Sequence, residues 1–429
     1  MSLYAESGFA RCIRKIGKGK PIILYGAGMD AIWAIEKYRE LISCDFYGCV
    51  CDGDSCKQSM KIAGIEILSF DKSLEKYPDA YIWVTAKEYK FEIIGFLLYE
   101  RGICAERILN YEPVVRRRSC LYAEKRFFLF EDLAEDGTVL RYVRMCDILG
   151  KYPALPFRSY DSLCTDFREF RDSVVEGIEK NSENVECIGC RNARETYYAE
   201  SRKVRTYNLM TDGRCNFRCC YCDAPIHSAR KTEDIFDFVR AFEMLESTGM
   251  LADDLHVDIT SGEICVNPLR EKMLEISGKY AETITIATNA SAYNESLYKV
   301  LESKRASIIV SMDAGTKETF ARIKGCDMFE RVKENLRSYR KAGIGAVELK
   351  YIFVPGMNDN TEDVDGFLEL CEEINPGVVT ISFDFYYEGE VQSSTIEMMR
   401  RMRVGLMKGG LFHKYEARVS HIIRLTDEV

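Results

Sequence analysis

Histidine is nearly absent: the 429 residues contain four, His227, His256, His413 and His421. So few, at no finger or metalloprotease spacing, exclude a histidine-built metal set or nucleophile. Also missing is any run of about 18 uncharged apolar residues, so no membrane-spanning helix is expected. The opening MSLYAESGFARCIRKIGKGK lacks the apolar core of a secretion signal, and the chain is expected to stay in the cytoplasm. Positive charge is in deficit, with 59 Lys and Arg against 68 Asp and Glu. The formal net charge of −9 argues against a general nucleic-acid binder, because neutralising phosphates takes a surplus of cations. Disorder is excluded by the balance of 47% hydrophobic and 30% charged residues, which suits two or three domains with sizeable cores.

What the chain has instead is cysteine, 18 in all. In a reducing compartment clustered thiols bind metal or do redox chemistry more often than they form disulfides. Isolated residues such as Cys12, Cys44, Cys104 and Cys371 sit in apolar stretches and read as small core residues.

Residues 1–112 read as an α/β unit. The strand KPIILY, the turn GAG and the helix MDAIWAIEKYREL follow in the order of a nucleotide-binding βαβ, and Gly26, Gly28 and Ala31 form G-x-G-x-x-A. Asp52 ends the next strand, about where a ribose-binding carboxylate falls. The plainer reading is that Gly26 and Gly28 only turn the chain. The segment resembles Rossmann-like modules attached to sugar-modifying enzymes, which implies a nucleotide or nucleotide-sugar ligand. Cys49, Cys51 and Cys56 match no metal template and read as strand and turn residues. Residues 113–202 form a less regular, cysteine-bearing middle segment in which RRR at 116–118 reads as a solvated turn.

From 203 to 429 strands and helices alternate. The strands TYNLMT, DLHVDIT, TITIATN, ASIIVSMD, VELKYIFVP and VVTISFDF are separated by helical stretches with short loops. Six such units predict an α/β fold, a partial (β/α)6 TIM-like barrel following the Rossmann-like domain, with ligands gathered at the strand C-termini. After the first strand comes CNFRCCYC, holding Cys215, Cys219, Cys220 and Cys222. Zinc is one candidate, but a closed zinc site takes a fourth Cys or His, and none follows at suitable spacing. Cys215, Cys219 and Cys222 at C-x3-C-x2-C suit three irons of a [4Fe-4S] cluster and leave the fourth open. Cys220 reads as filler behind the loop.

This loop, with Tyr221 before the last cysteine, resembles the hallmark of the radical SAM superfamily. The resemblance implies a [4Fe-4S] cluster held by Cys215, Cys219 and Cys222, and S-adenosylmethionine (SAM) cleaved reductively to a 5′-deoxyadenosyl radical that abstracts hydrogen from substrate. It further implies that Ser261, Gly262 and Glu263 engage the methionyl amino group, that Asn289 lines the pocket, that Ser311 and Asp313 bond ribose hydroxyls, and that Lys350 pairs with the SAM carboxylate. Ser261 and Ile264 depart from the family's G-G-E-P.

Cys120, Cys146, Cys187 and Cys190 resemble the ligand sets of SPASM or twitch auxiliary domains, although those follow the catalytic domain and this set precedes it. A second [4Fe-4S] cluster, a structural zinc and no metal stay open. His256 reads as a hydrogen-bonded core residue, His227 as a residue near SAM or substrate. Tyr386, Tyr387, Cys265 and Cys326 are hydrogen-donor candidates. The function expected is hydrogen abstraction from a carbohydrate, nucleotide-sugar or related small molecule, giving oxidation, epimerisation or rearrangement, with electrons from a reductase or a flavodoxin or ferredoxin. A peptide maturase, a non-catalytic sensor and a zinc scaffold are the alternatives.

Overall fold

The computed structural model describes residues 6–16, 19–58, 60–133, 138–146, 154–180, 187, 190, 192–210, 213–222, 237–416, 419–420 and 422. The N-terminal unit contains α1 (Gly8–Ile16), β1 (Ile22–Tyr25), α2 (Met29–Ile42), β2 (Gly48–Cys51), β3 (Lys61–Ile62), β4 (Ile65–Leu68), α3 (Phe70–Lys76), β5 (Tyr81–Val84) and α4 (Lys90–Gly95). Its sheet runs β3-β4-β2-β1-β5, parallel except for the β3–β4 hairpin. Ile23 and Leu24 of the short central strand are fully buried, so helices can cover both faces.

The middle segment is more regular than its sequence suggested. It holds β6 (Val114–Cys120), β7 (Arg126–Leu133), β8 (Val139–Arg144), β9 (Leu155–Pro156), the 20-residue α5 (Tyr160–Glu179) and β10 (Ala193–Ala199). Ser159 caps α5 by accepting from Ser162 N. Leu163, Phe167, Val174, Val175 and Ile178 form the helix's narrow buried stripe within otherwise charged sequence. Arg116, Arg117 and Arg118 lie on β6 rather than in a turn, and Arg117 grips Glu124 with two nitrogens at 2.7 and 3.0 Å.

The C-terminal part comprises β11 (Val204–Met210), α6 (Phe238–Ser247), β12 (Leu251–Thr260), α7 (Arg270–Tyr280), β13 (Thr283–Ala287), α8 (Glu295–Glu302), β14 (Ala306–Ser311), α9 (Lys317–Lys324), α10 (Phe329–Arg340), β15 (Val347–Phe353), α11 (Thr361–Ile374), β16 (Val378–Phe383), α12 (Ser393–Lys408) and β17 (His413–Tyr415). Strands β11 to β16 are the six expected units, in sequential parallel order. The sheet continues on both sides, through β17 at one end and through β7, then antiparallel β8 and β9, at the other. It therefore crosses residue 203, because β7 comes from the middle segment. Phe127 of β7 stacks on Tyr207 of β11 at 5.3 Å and meets Phe167 of α5 edge-on at 4.8 Å, which joins that segment to the barrel core.

Curvature is visible in the residues that share a cavity. Arg126 on β7 and Lys414 on β17, from opposite ends of the parallel run, line one space with Thr206, His256 and Thr285. The sheet thus curls into a partial barrel with polar residues on its concave face. The N-terminal unit closes its floor. Trp33 Nε1 donates to Gly345 O (3.0 Å), and Glu36 accepts from Ile344 N (2.7 Å) and Gly345 N (2.9 Å). Lys90 bridges Glu112 (2.6 Å) and Asp254 (2.7 Å).

Candidate active site

The cysteine loop leaves the C-terminal end of β11, where this class of fold gathers ligands. Its backbone is pinned to the end of α9: Arg218 N donates to Lys324 O, and Cys220 N to Ile323 O, each at 2.9 Å. Gly325 makes that approach possible. Its φ is +68°, and a Cβ there would lie 2.8 Å from both Arg218 Cβ and Arg218 O. On the other side Glu263 N donates to Arg214 O at 2.7 Å. Cys215 and Cys219 are half-buried and Cys222 is exposed. Burial first, then Asp313, Cys222 and Cys215 against the lowering influence of Lys324, push the Cys219 thiol up to about 11. Cys215 and Cys222 are near enough to Cys219 for their charges to act on it, so the three thiols share one neighbourhood. Cys220 is exposed instead, its Sγ 3.8 Å from Met357 Sδ.

Tyr221 turns inward. Its hydroxyl donates to Asp313 and accepts from Lys324 Nζ at 2.7 Å, while Lys324 forms a buried ion pair with Asp313. The other Asp313 oxygen accepts from Ile352 N at 2.7 Å, and Asn358 Nδ2 donates to Asp313 O at 2.8 Å. Asp313 is fully buried at φ +55°, a conformation Asp tolerates at some cost. Both its oxygens have protein partners, and Asp313 ties the cysteine loop to β14 and β15. Lys324 and Asn358 were missed in the sequence, because a lysine closing a helix and an asparagine in a turn read as surface residues.

Glu263 also points inward. Fully buried, it accepts from Cys265 N (2.9 Å), Thr288 Oγ1 (2.7 Å) and Asn289 N (2.5 Å). Burial raises its carboxyl above the ordinary value, against those donors, which pull it down. Its side chain joins the ends of β12 and β13. Ser261 and Gly262, at φ +64° and +63°, make the sharp backbone turn before it. Asn289 sits against the first cysteine, with Nδ2 3.7 Å from Cys215 Sγ and 2.8 Å from Asn216 Oδ1. Ser311 is beside Lys350 in the β14–β15 register, and Lys350 Nζ is 2.6 Å from Glu416.

Down the concave face run His256 and Asp258, bonded through Nε2 and Oδ1 at 2.9 Å, with Thr283 Oγ1 2.9 Å from His256 Nδ1. The i, i+2 spacing of HVD on a strand was a usable signal for this pair, since it puts both side chains on one face. Towards β17 lie the pairs Lys350–Glu416 and Lys414–Glu348, the latter at 2.9 Å. Tyr386 is exposed, and Tyr387 packs edge-on against Phe383 at 5.6 Å. Burial raises the Cys265 thiol to about 12, and Cys326 is half-buried near Cys215. His227 lies outside the described residues.

Comparison with known proteins adds one decisive match: residues 211–371, which span this loop and the strand ends around it, fit the family model of the Radical SAM superfamily. The chain carries a radical SAM domain. It is 27% identical over 190 residues to GTP 3',8-cyclase 2 of Pseudomonas aeruginosa, a match covering 42% of this chain and 54% of that protein. With a GTP 3',8-cyclase of Nautilia profundicola it shares 29% over 205 residues, covering 44% and 58%. The chain spans about half the length of the curated relatives it matches. Among solved structures, Streptococcus suis SuiB bound to precursor peptide SuiA aligns at 12% identity and TM-score 0.42 over 73% of this chain and 75% of that one. Native anSMEcpe with bound AdoMet aligns at 16% and 0.39 over 49% and 64%.

The radical SAM domain fits a cluster on the chemistry of its donors: three thiols are carried on one braced loop, and Asn289 offers an N–H to the first sulfur. The middle cysteines also meet. Cys120, Cys146, Cys187 and Cys190 line one small cavity with Val174 and Asn192, whose Nδ2 is buried without a hydrogen-bond partner. None of the 18 cysteines is in a disulfide. Among the described residues no group of three or more His, Cys, Asp or Glu is placed to hold a single metal ion. In the N-terminal unit, Gly26 (φ +121°) is required because a Cβ would lie 2.6 Å from Ala86 N, whereas Gly28 is extended with open space beside it. Asp52 accepts from Ala27 N at 2.7 Å and pairs with Lys57 at 3.0 Å. It therefore braces the glycine turn.

Proposed function

We propose that this protein is a radical SAM enzyme that abstracts hydrogen from a neutral, hydroxyl-rich substrate such as a carbohydrate, in the course of an oxidation, epimerisation or rearrangement. The [4Fe-4S] cluster would be held by Cys215, Cys219 and Cys222, and when loaded it supplies the electron that splits SAM into methionine and a 5′-deoxyadenosyl radical. Lys324, Asp313 and Tyr221 fix the loop, Glu263 fixes the neighbouring strand ends, and Asn289 steadies the first sulfur. Lys350 would meet the SAM carboxylate by exchanging it for Glu416, and Ser311 would meet a ribose hydroxyl.

The single observation carrying the substrate class is that the concave face is polar and its cations are paired, Lys87 with Asp30 and Arg126 with Glu88 among them. Lys350, Lys414 and His256 each face a carboxylate, so they offer hydrogen-bonding groups without surplus positive charge. A triphosphate would need unpaired cations there. The curated relatives are named for GTP, and that is the second reading to test. The four middle cysteines are proposed to hold a second iron–sulfur centre, which could accept an electron or anchor substrate. No described helix is long and apolar enough to cross a membrane, and a cytoplasmic enzyme fed by a flavodoxin, ferredoxin or reductase accords with oxygen-sensitive clusters.

The test is anaerobic reconstitution, then SAM and dithionite, assayed for 5′-deoxyadenosine beside the Cys215→Ala, Cys219→Ala, Cys222→Ala triple variant. Formation that is lost in the variant supports the reading. A fully loaded cluster that leaves SAM intact removes it. Screening sugars, nucleotide-sugars and GTP for deuterium transfer into 5′-deoxyadenosine decides the substrate class.

A further inference from the structure

Between the N-terminal unit and the barrel floor lies a cavity of about 500 Å3, within the usual span of small-molecule sites. Both tryptophans of the chain, Trp33 and Trp83, line it. Trp33 is locked by its bond to Gly345 and has Lys87 Nζ 5.3 Å from its ring centre. Trp83 is half-buried and meets Phe9 edge-on at 5.0 Å. Nine basic and five acidic side chains line the walls, in a chain whose net charge is −9. Lys15 and Lys203 are exposed at the rim. The buried Arg205 keeps its Nε without a hydrogen-bond partner.

Packing two units together would be served by balanced charge and no empty space. Lys87, Lys90 and Arg205 are ion-paired and Trp33 is buried. Trp83, however, is half-exposed and Lys15 and Lys203 stand at the rim, which fits an aromatic ring joined to an anion: Trp83 takes a flat base and the rim cations take phosphate. We infer that this junction cavity binds a nucleotide. In the glycine turn next to it, Asp52 and Lys57 already take the N–H and C=O of Ala27, so we place the phosphates on the cations of the cavity instead.

The bound nucleotide is not the substrate. Asp254 on the cavity wall and Ser261 beside the cysteine loop lie seven residues apart along β12, which is roughly 23 Å at about 3.3 Å per residue. A nucleotide carrying one sugar does not bridge that span, so the site belongs to an effector. This last step rests on the cysteine loop being the reaction centre.

Because no other tryptophan exists, intrinsic emission reports on this cavity alone. Titration of the cluster-loaded protein with UDP, GTP, uridine and pyrophosphate should shift the emission with UDP or GTP at micromolar concentrations and much less with uridine. The Lys15→Glu/Lys203→Glu variant should weaken that binding at least tenfold, with melting temperature and iron content recorded beside it. Nucleotide binding unchanged in the variant, or no emission change up to millimolar ligand, would overturn the site. Conversion of the bound nucleotide during SAM cleavage would overturn the effector role, and absence of 5′-deoxyadenosine in all samples would count against the radical reading, not against this cavity.

Discussion

Lys324 places its ammonium on the carboxylate of Asp313 with both side chains almost wholly out of solvent, and Tyr221 of the cysteine loop closes the triangle. A pair this deep is costly to break on one side, because the remaining charge has no water to turn to. Lys324→Met should therefore lower stability by about 3–5 kcal/mol and release the loop, so that reconstituted iron falls as well. The Lys324→Met/Asp313→Asn double variant should recover part of the stability, since it leaves no uncompensated charge. Thermal melts and iron assays of both check this; a single variant that melts like the parent refutes the brace.

Gly325 and Gly356 form a controlled comparison. Both have positive φ, +68° and +76°, but only Gly325 faces a neighbour, the backbone of Arg218. Gly356→Ala should cost about 1–2 kcal/mol from left-handed geometry alone. Gly325→Ala should cost more and should also reduce SAM cleavage, because the clash displaces the cysteine loop. Equal effects in chemical denaturation and cleavage assays would show that the loop tolerates the shift.

Acid should undock the N-terminal unit late. Burial is the largest influence on Asp254 and pushes its pKa up, but Lys90 and Arg205 more than offset it, so the folded value lies below the ordinary one. The resulting stabilisation is present above the unfolded pKa of about 3.9 and is lost as pH falls through the lower folded value. Melting temperature should respond to this group only below about pH 4. Asp254→Asn should lower the melting temperature at pH 7 and flatten the acid limb. A parent that loses the contribution between pH 7 and 5 would contradict the assignment.

The six barrel strands were legible because β-branched, apolar residues recur between short polar loops, and a parallel sheet covered by helices demands that pattern. Strand β17 was not legible, because three residues, His413, Lys414 and Tyr415, carry no period. β7 was hidden differently: RFFLFEDL looks like a strand, but nothing local says it pairs with β11 across the boundary at 203. The cysteine loop was legible because metal ligation constrains spacing in the chain itself. Asp313 and Glu263 were located, but the tertiary contacts of their side chains were not foreseen. Their partners, Lys324, Ile352, Thr288 and Asn289, come from other strands and helices, and pairing across tertiary structure leaves no mark in a local motif.

The middle cysteines give a prediction that separates their three readings. Cys120 ends β6, Cys187 and Cys190 flank a turn closed by Cys190 N donating to Cys187 O at 3.1 Å, and Ala193, three residues on, pairs with Cys120 across the β6–β10 ladder. Local pairing thus delivers three of the four thiols, and Cys146 follows β8. A second [4Fe-4S] centre requires about eight irons and eight sulfides per chain, falling to about half in a Cys187→Ala/Cys190→Ala variant while the loop cluster remains. Zinc would appear without added sulfide and would leave the iron near four. With no metal, the double variant would carry the same iron as the parent, and the four thiols would be packing residues around a small void. The variant should be assayed with SAM alone and with substrate: an auxiliary centre that accepts the substrate electron leaves uncoupled 5′-deoxyadenosine formation intact and abolishes product, whereas a purely structural centre loses both together as the segment carrying β7 comes away from β11.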